Sequence, residues 1–310
     1  MELHFLGTGA GLPSKIRNVT SLVLDLLPER GTYWMFDCGE GTQHQVLHSR
    51  VKLSKLDKMF VTHLHGDHIF GIPGVLSSRS FHGGTQALTI YGPPGVKDYV
   101  MASLNLSQTH LTYPIEIQEI SEAGGVIFQD DEVTVSAQWL LHGIPSLGYR
   151  IVEADRPGEF YPQKAMELGL PPGPLYAALQ AGQTVESATG RQITPEDVLG
   201  PPRPGRTVTI LGDTRPCDAI FDLARDADVL VHEATFSSAQ STLAHAYHHS
   251  TTVEAAKAAK RSNVGQLILT HVSARYRPED VDGLTAEAMQ IFPDVHVASD
   301  FLTVPIKPKA

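Results

Sequence analysis

Residues 58–71 read KMFVTHLHGDHIFG, and the reading of the whole chain turns on them. An apolar, β-like run, KMFVT, leads into His63, His65, Asp67 and His68, four ligand-type side chains within six positions. Extended backbone alternates its side chains, so His63 and His65 point to one side. Gly66 breaks the extended run, and the residues after Asp67 can begin a helix. Asp67 and His68 therefore face a neighbouring point. Imidazole nitrogens and carboxylate oxygens are the donors that Zn²⁺ takes at catalytic sites, where one position stays open. Four donors are too many for one such ion and suit two. A lone histidine is ordinarily a surface or hydrogen-bonded core residue, and that reading is kept for His4, His44, His48, His82, His110 and His296. It fails for the cluster, because four such groups on one short loop compete or repel without a cation.

Two metals need more ligands, and other strand ends carry residues of the same type. EVTVSAQWLLHG carries His142, TVTILGDT carries Asp213 and QLILTHVS carries His271, each just past an apolar strand. Strands lying side by side deliver their ends to one edge, where these three can meet the 63–68 loop. A carboxylate can bridge two cations, and Asp213 is the candidate bridge.

The chain has 310 residues, enough for a sizeable core. Its 42% apolar and 19% charged content suits a globular protein. No apolar stretch approaches the ~20 residues that span a bilayer, and MELHFLGTGAGLP lacks the features of a secretory signal. Two cysteines, Cys38 and Cys217, form no CxxC pair, and a reducing cytoplasm is the expected location. A net charge of −10 weighs mildly against an indiscriminate nucleic-acid binder and leaves room for a local basic patch.

Strand-like runs recur along the chain, among them LHFLGTG, TSLVLDLL, TYWMFDCG, ALTIYGPPG, LGYRIVEA and DVLVHEAT. Helical segments are expected at GTQHQVLHSR, AIFDLARDA and TTVEAAKAAKRS, the last with Ser250 or Thr251 as N-cap and basic residues in its final turn. Many neighbouring strands look hairpin-connected, which argues against a purely parallel sheet. The expected architecture is a single α/β domain over residues 1–310, with two sheets face to face and helices outside. Residues 153–205 are rich in proline and glycine and read as an insertion within that domain.

With these residues in place, the chain resembles the metallo-β-lactamase superfamily, and within it the ribonuclease Z family of tRNA 3′-processing endoribonucleases. THLHGDH with His142, Asp213 and His271 carries the wider likeness. HEATF at 232–236, YHHSTT at 247–252 and the PxKxRN pattern at 13–18 carry the narrower one. FLGTGAGLPSKIRN, DCGEGTQ and LTHVSARY extend it over essentially the whole length. The resemblance implies an αβ/βα four-layer sandwich and two zinc ions per subunit. It places His63, His65 and His142 on one zinc, Asp67, His68 and His271 on the other, and Asp213 across both. It implies precursor tRNA as substrate, a homodimer, and an exosite arm at 153–205 that grips the tRNA away from the cut. Lys15, Arg17, Asn18 and Arg275 are the candidate substrate contacts. The arm departs from the family pattern. Lysines are expected in it, yet residues 153–206 hold Arg156, Lys164, Arg191, Arg203 and Arg206 against seven acids.

A metal pair lowers the pKa of bound water towards ~7 and offsets charge on phosphoryl oxygens. Asp67 is the candidate general base, His249 the candidate acid for the leaving ribose oxygen, and Glu233 the group that orients it. Two rivals remain. A small-molecule phosphodiesterase or other hydrolase of the same fold needs the metals but neither the 13–18 loop nor the arm. A non-catalytic RNA-binding protein with structural zinc fits poorly, since closed structural sites are commonly cysteine-rich.

Overall fold

The computed structural model describes residues 1–307. Two seven-stranded sheets form its centre. The first runs, in spatial order, Thr303–Pro305, Glu2–Gly7, Ser21–Leu26, Thr32–Phe36, Leu56–Phe60, Leu88–Gly92 and Ile115–Glu119. The second runs Val295–Val297, Gln266–Thr270, Val229–Glu233, Thr207–Leu211, Ser146–Glu153, Val133–Leu140 and Gly125–Gln129. Both are mixed. Each has an antiparallel part built from short connections and a parallel part built through helices.

Three apolar layers hold the sandwich. Between the sheets lie Leu3, Phe5, Leu24, Trp34, Val208, Val231 and Ile268, with an aromatic stack at their centre. Phe36, Phe60 and Tyr91, on adjacent strands, stack with centroids 4.8 and 5.1 Å apart, and Tyr149 from the other sheet meets Phe60 edge-on at 5.3 Å. A second layer seats helices Ile72–Phe81 and Val96–Leu106 on the first sheet. A third seats Asp218–Ala224, Thr252–Arg261 and Val281–Met289 on the second. The observed order is thus helix, sheet, sheet, helix. Thr252–Arg261 shows why such a helix fits: Thr251 caps it in a capping box with Glu254, and Ala255, Ala256, Ala258 and Ala259 form a small, buried face that lets it sit close to the sheet. Among the described residues, no helix is long and apolar enough to cross a membrane.

Strand direction sets where the chemistry gathers. Thr207–Leu211, Val229–Glu233 and Gln266–Thr270 are parallel. Val133–Leu140 is two antiparallel steps from Thr207–Leu211, so it points the same way. Their carboxyl ends share one edge, and His142, Asp213 and His271 follow those ends directly. The first sheet meets this edge at Thr62, whose carbonyl accepts from Leu147 N at 2.9 Å, while Tyr149 Oη donates to Val61 O at 2.6 Å. Gly212 sits where a Cβ would lie 2.6 Å from Thr62, so only glycine permits this approach beside Asp213.

The 153–205 insertion is ordered rather than a long structureless loop. Helices Pro162–Glu167, Leu175–Gln180 and Pro195–Val198 and the hairpin Val185–Glu186/Gln192–Ile193 surround a separate core of Ala165, Leu170, Leu179, Val185, Ile193 and Val198. At its root, Arg206 donates to Glu153 at 2.6 and 2.8 Å and to Glu29 at 2.7 Å, and Glu29 also accepts from the Met1 amine. Burial pushes both carboxyls up, but these cations outweigh it and hold Glu29 and Glu153 below their ordinary range. A carboxyl lowered on folding stabilises fully above its unfolded value, about 4.3, and that stability is lost as pH falls through the folded value. Arg206→Met strands Glu153 and leaves Glu29 only the Met1 amine, and urea denaturation at pH 7 is expected to show a loss of about 2–4 kcal/mol. The deficit should begin to shrink below about pH 4.3 and go on shrinking as pH falls through the lowered folded values of the two acids.

Candidate metal centre

Seven predicted ligands come together at the shared edge. His63, His65, His142 and Asp213 place one donor atom each within 4.8 Å of one another, and so do Asp67, His68 and His271. His65 Nδ1 lies 3.0 Å from His63 Nε2 and 3.2 Å from His142 Nε2. In the second group His271 Nε2 lies 3.3 Å from both His68 Nε2 and Asp67 Oδ2. Asp213 Oδ2 is 3.6 Å from His63, 3.5 Å from His68 and 3.3 Å from His271, and so stands between the groups. His63, His68, His271 and Asp213 are buried.

Hydrogen bonds on the far side of each ring decide what faces inward. The Thr62 hydroxyl has one proton. It donates it to Asp37 Oδ2 at 2.7 Å and therefore accepts from His63 Nδ1 at 3.0 Å. Thr235 does the same, donating to Glu233 Oε2 at 2.7 Å and accepting from His271 Nδ1 at 2.9 Å. His68 Nδ1 donates to Asp37 Oδ2 at 2.7 Å, and His142 Nδ1 donates to the His248 carbonyl at 2.9 Å. Four Nε2 lone pairs are thereby turned towards one another and towards two carboxylates. Unprotonated nitrogens and carboxylate oxygens this close repel unless a cation lies among them, so the residues present fit a metal pair.

Electrostatics divide: burial opposes a charge on His68, yet Asp213 and Asp37 raise its pKa well above the ordinary value, so these carboxylates favour positive charge at the centre. Burial, followed by neighbouring His68, drives the His63 pKa well below its ordinary value. Burial alone would raise Asp213, but His271, His68 and His63 bring it well below the usual carboxylate range. Burial opposes the charge of Asp67 too, yet His271 and His68 lower it, and its Oδ2 also accepts from Gly11 N at 2.7 Å.

His249 sits beside this centre. Its Nδ1 donates to Glu233 Oε1 at 2.9 Å and lies 3.8 Å from Asp213 Oδ2. Glu233, buried, is held by the Thr214 and Thr235 amides and the Thr235 hydroxyl. Burial opposes a charge on His249, yet Glu233 pushes its pKa up to about 9. The backbone is tied by His249 N to Ala244 O at 2.8 Å, and Ser250 Oγ donates to Thr214 O at 2.6 Å.

The predicted substrate contacts divide. Lys15 is exposed, and Asn18 is half-buried with its side-chain amide donating to Glu40 O. Arg275 is exposed, lies 4.9 Å over the Phe236 ring and donates to Gln240. Arg17, by contrast, is buried, donating to Thr8 Oγ1 at 2.6 Å and to the Ala298 carbonyl. The Arg17 guanidinium thus satisfies inward acceptors rather than facing solvent.

Sequence reading assigned no role to Asp37, Thr62, Thr235 or the His248 carbonyl. Asp37 had a usable signal, since it also follows an apolar strand, Thr32–Phe36. It holds the left-handed backbone, φ 54°, that Asp tolerates better than most residues, as His248 (61°) and His271 (56°) also do. Its Oδ1 accepts from Thr62 N at 2.7 Å, so one carboxylate sets both His63 and His68. Asp37→Asn loses the charge that fixes these tautomers and should weaken metal retention by about 10–100-fold, read by metal analysis against a competing chelator.

Comparison with known proteins places this geometry. A family model described as Anti-Pycsar protein Apyc1 matches residues 1–135. The chain is 52% identical over 304 residues to ribonuclease Z of Bacillus subtilis (strain 168), covering 98% of each chain. It is 50% identical over 308 residues to ribonuclease Z of Bacillus velezensis, covering 99% of each. The crystal structure of human tRNase Z, short form, superposes with a TM-score of 0.73 at 31% identity, covering 99% of this chain and 100% of that one. The metallo-β-lactamase fold protein YhfI of Bacillus subtilis shares the fold, with a TM-score of 0.67 at 18% identity over 97% of this chain and 98% of that one. Half of the residues are shared with the two bacterial ribonucleases from end to end. With the sandwich carrying its ligand-type residues on one edge, the chain belongs to the ribonuclease Z family of metallo-β-lactamase-fold endoribonucleases.

Proposed function

We propose that this chain cuts the 3′ trailer from precursor tRNA with two zinc ions, held by His63, His65 and His142 on one side and Asp67, His68 and His271 on the other, with Asp213 shared. The observation that carries this reading is the inward convergence of four histidine lone pairs whose far nitrogens are all tied. When bound, the pair supplies Lewis acidity and a water of lowered pKa. Asp67, aligned by the Gly11 amide, accepts the proton of the attacking water. His249, cationic at neutral pH, hydrogen-bonds Glu233 through its Nδ1–H and gives its Nε2 proton to the departing ribose oxygen. The products are a tRNA 3′-hydroxyl and a trailer 5′-phosphate.

Lys15, Asn18 and Arg275 are the residues proposed to meet RNA. The arm serves as the exosite of a homodimer, one subunit's arm holding the tRNA that its partner cuts. Its cations are partly engaged within the protein: Arg206 is clamped by Glu153 and Glu29, Arg203 lies 3.5 Å from Glu159, and Lys164 sits over Tyr161. This leaves the arm with a weak electrostatic grip, or with one that rests on backbone amides. Two free cysteines suit the cytoplasm.

An end-labelled, 3′-extended pre-tRNA tests the proposal directly. Cleavage should stop with chelator and return with zinc, and Asp67→Ala should bind the RNA but not cut it. Normal turnover by Asp67→Ala would remove that residue from the mechanism. His249→Ala should slow single-turnover cleavage by about 10²–10⁴-fold with metal content unchanged. Metal loss in that variant would make His249 structural instead.

A further inference from the structure

Outside the metal centre, a second set of metal-type donors lies on the first sheet. Leu3, Phe5, Leu22 and Leu24 pack between the sheets, so Glu2, His4 and Asp25 occupy the other face of the same two strands. Glu2 stands directly opposite Asp25 in the antiparallel register, and His4 stands opposite Thr303. Two carboxylates directly opposite each other on a sheet repel. His4 Nε2 lies 3.2 Å from Asp25 Oδ2 and 3.8 Å from Glu2 Oε2, and the three residues offer donor atoms within 4.8 Å of one another. Asp25 Oδ1 already accepts from Leu27 N at 2.9 Å, which leaves Oδ2 for a cation. His4 Nδ1 contacts Thr303 Oγ1 at 2.9 Å, so a threonine hydroxyl backs this ring as others do in the metal centre. His4 and Asp25 are buried, at 5% and 8% exposure.

Arg50 pairs with Glu2 from outside. Its side chain is 58% exposed and can swing into solvent, releasing the glutamate at little cost. A cavity of about 380 Å³, lined in part by His4, His48, Arg50 and Thr303, borders the imidazole.

We infer that Glu2, His4 and Asp25 form a separate divalent-cation site, with one imidazole nitrogen and two carboxylates as ligands, that takes Zn²⁺ and clasps the strands Glu2–Gly7 and Ser21–Leu26. The site is independent of the catalytic reading, since none of its residues serves the cleavage centre. The rival occupant is a proton: a charged His4 would form a plain ion pair with Asp25 and bind no metal.

Full-length parent, His4→Ala and Asp25→Asn proteins are dialysed against micromolar free Zn²⁺, and zinc is measured by mass spectrometry. Each variant should hold about one zinc ion less per chain than the parent and still cleave pre-tRNA at the parent rate. Parent crystals should show an anomalous zinc peak among the three side chains. Equal zinc in all three proteins overturns the site, and so does anomalous density confined to the His63–His271 centre. Should His4→Ala fail to fold, Asp25→Asn, which keeps the Leu27 contact, carries the same test.

Discussion

Thr62 and Thr235 each own a single hydroxyl proton, and where those protons go governs the rest of the site. Each is given to a buried carboxylate, Asp37 or Glu233, so each hydroxyl must accept from a histidine. That choice turns the Nε2 of His63 and His271 inward as bare lone pairs. Reversing either proton would point an N–H at the centre and disable one ligand without moving a backbone atom. The ligand shell thus depends on carboxylates that do not belong to it, and Glu233 keeps its charge against the cost of burial through its hydrogen bond to His249.

Sheet topology makes this economy of parts possible. Four strands of the second sheet end at the same edge, and one strand of the first sheet arrives there through the Val61–Thr62 carbonyls. Asp213 and Glu233 then occupy neighbouring strand ends, so one row of residues serves both metal binding and the orientation of His249. The arm leaves and returns at two adjacent strands, Ser146–Glu153 and Thr207–Leu211. Its own core and the Arg206 clamp hold it as a separate unit beside that edge.

Much of this was legible in the chain itself. The HLHGDH loop, the strand ends at His142, Asp213 and His271, the mixed sheets and the capped helix after Thr251 are all local patterns. Alternation, turn residues and donor chemistry act over a few residues, so a linear reading can follow them. Asp37 was within reach by the same strand-end rule, but it looks like any turn aspartate until His68 is beside it.

Other features were decided only when distant segments met. Arg17 reads as an RNA contact in PSKIRN, yet the Ala298 carbonyl, far along the chain, draws it inward. His4 reads as an ordinary histidine until the strand register sets Glu2 against Asp25 around it. Ring tautomers, too, depend on partners that are often far along the chain. Donor type and spacing are properties of the chain, whereas the direction a donor faces is a property of what packs against it, and packing exists only in three dimensions.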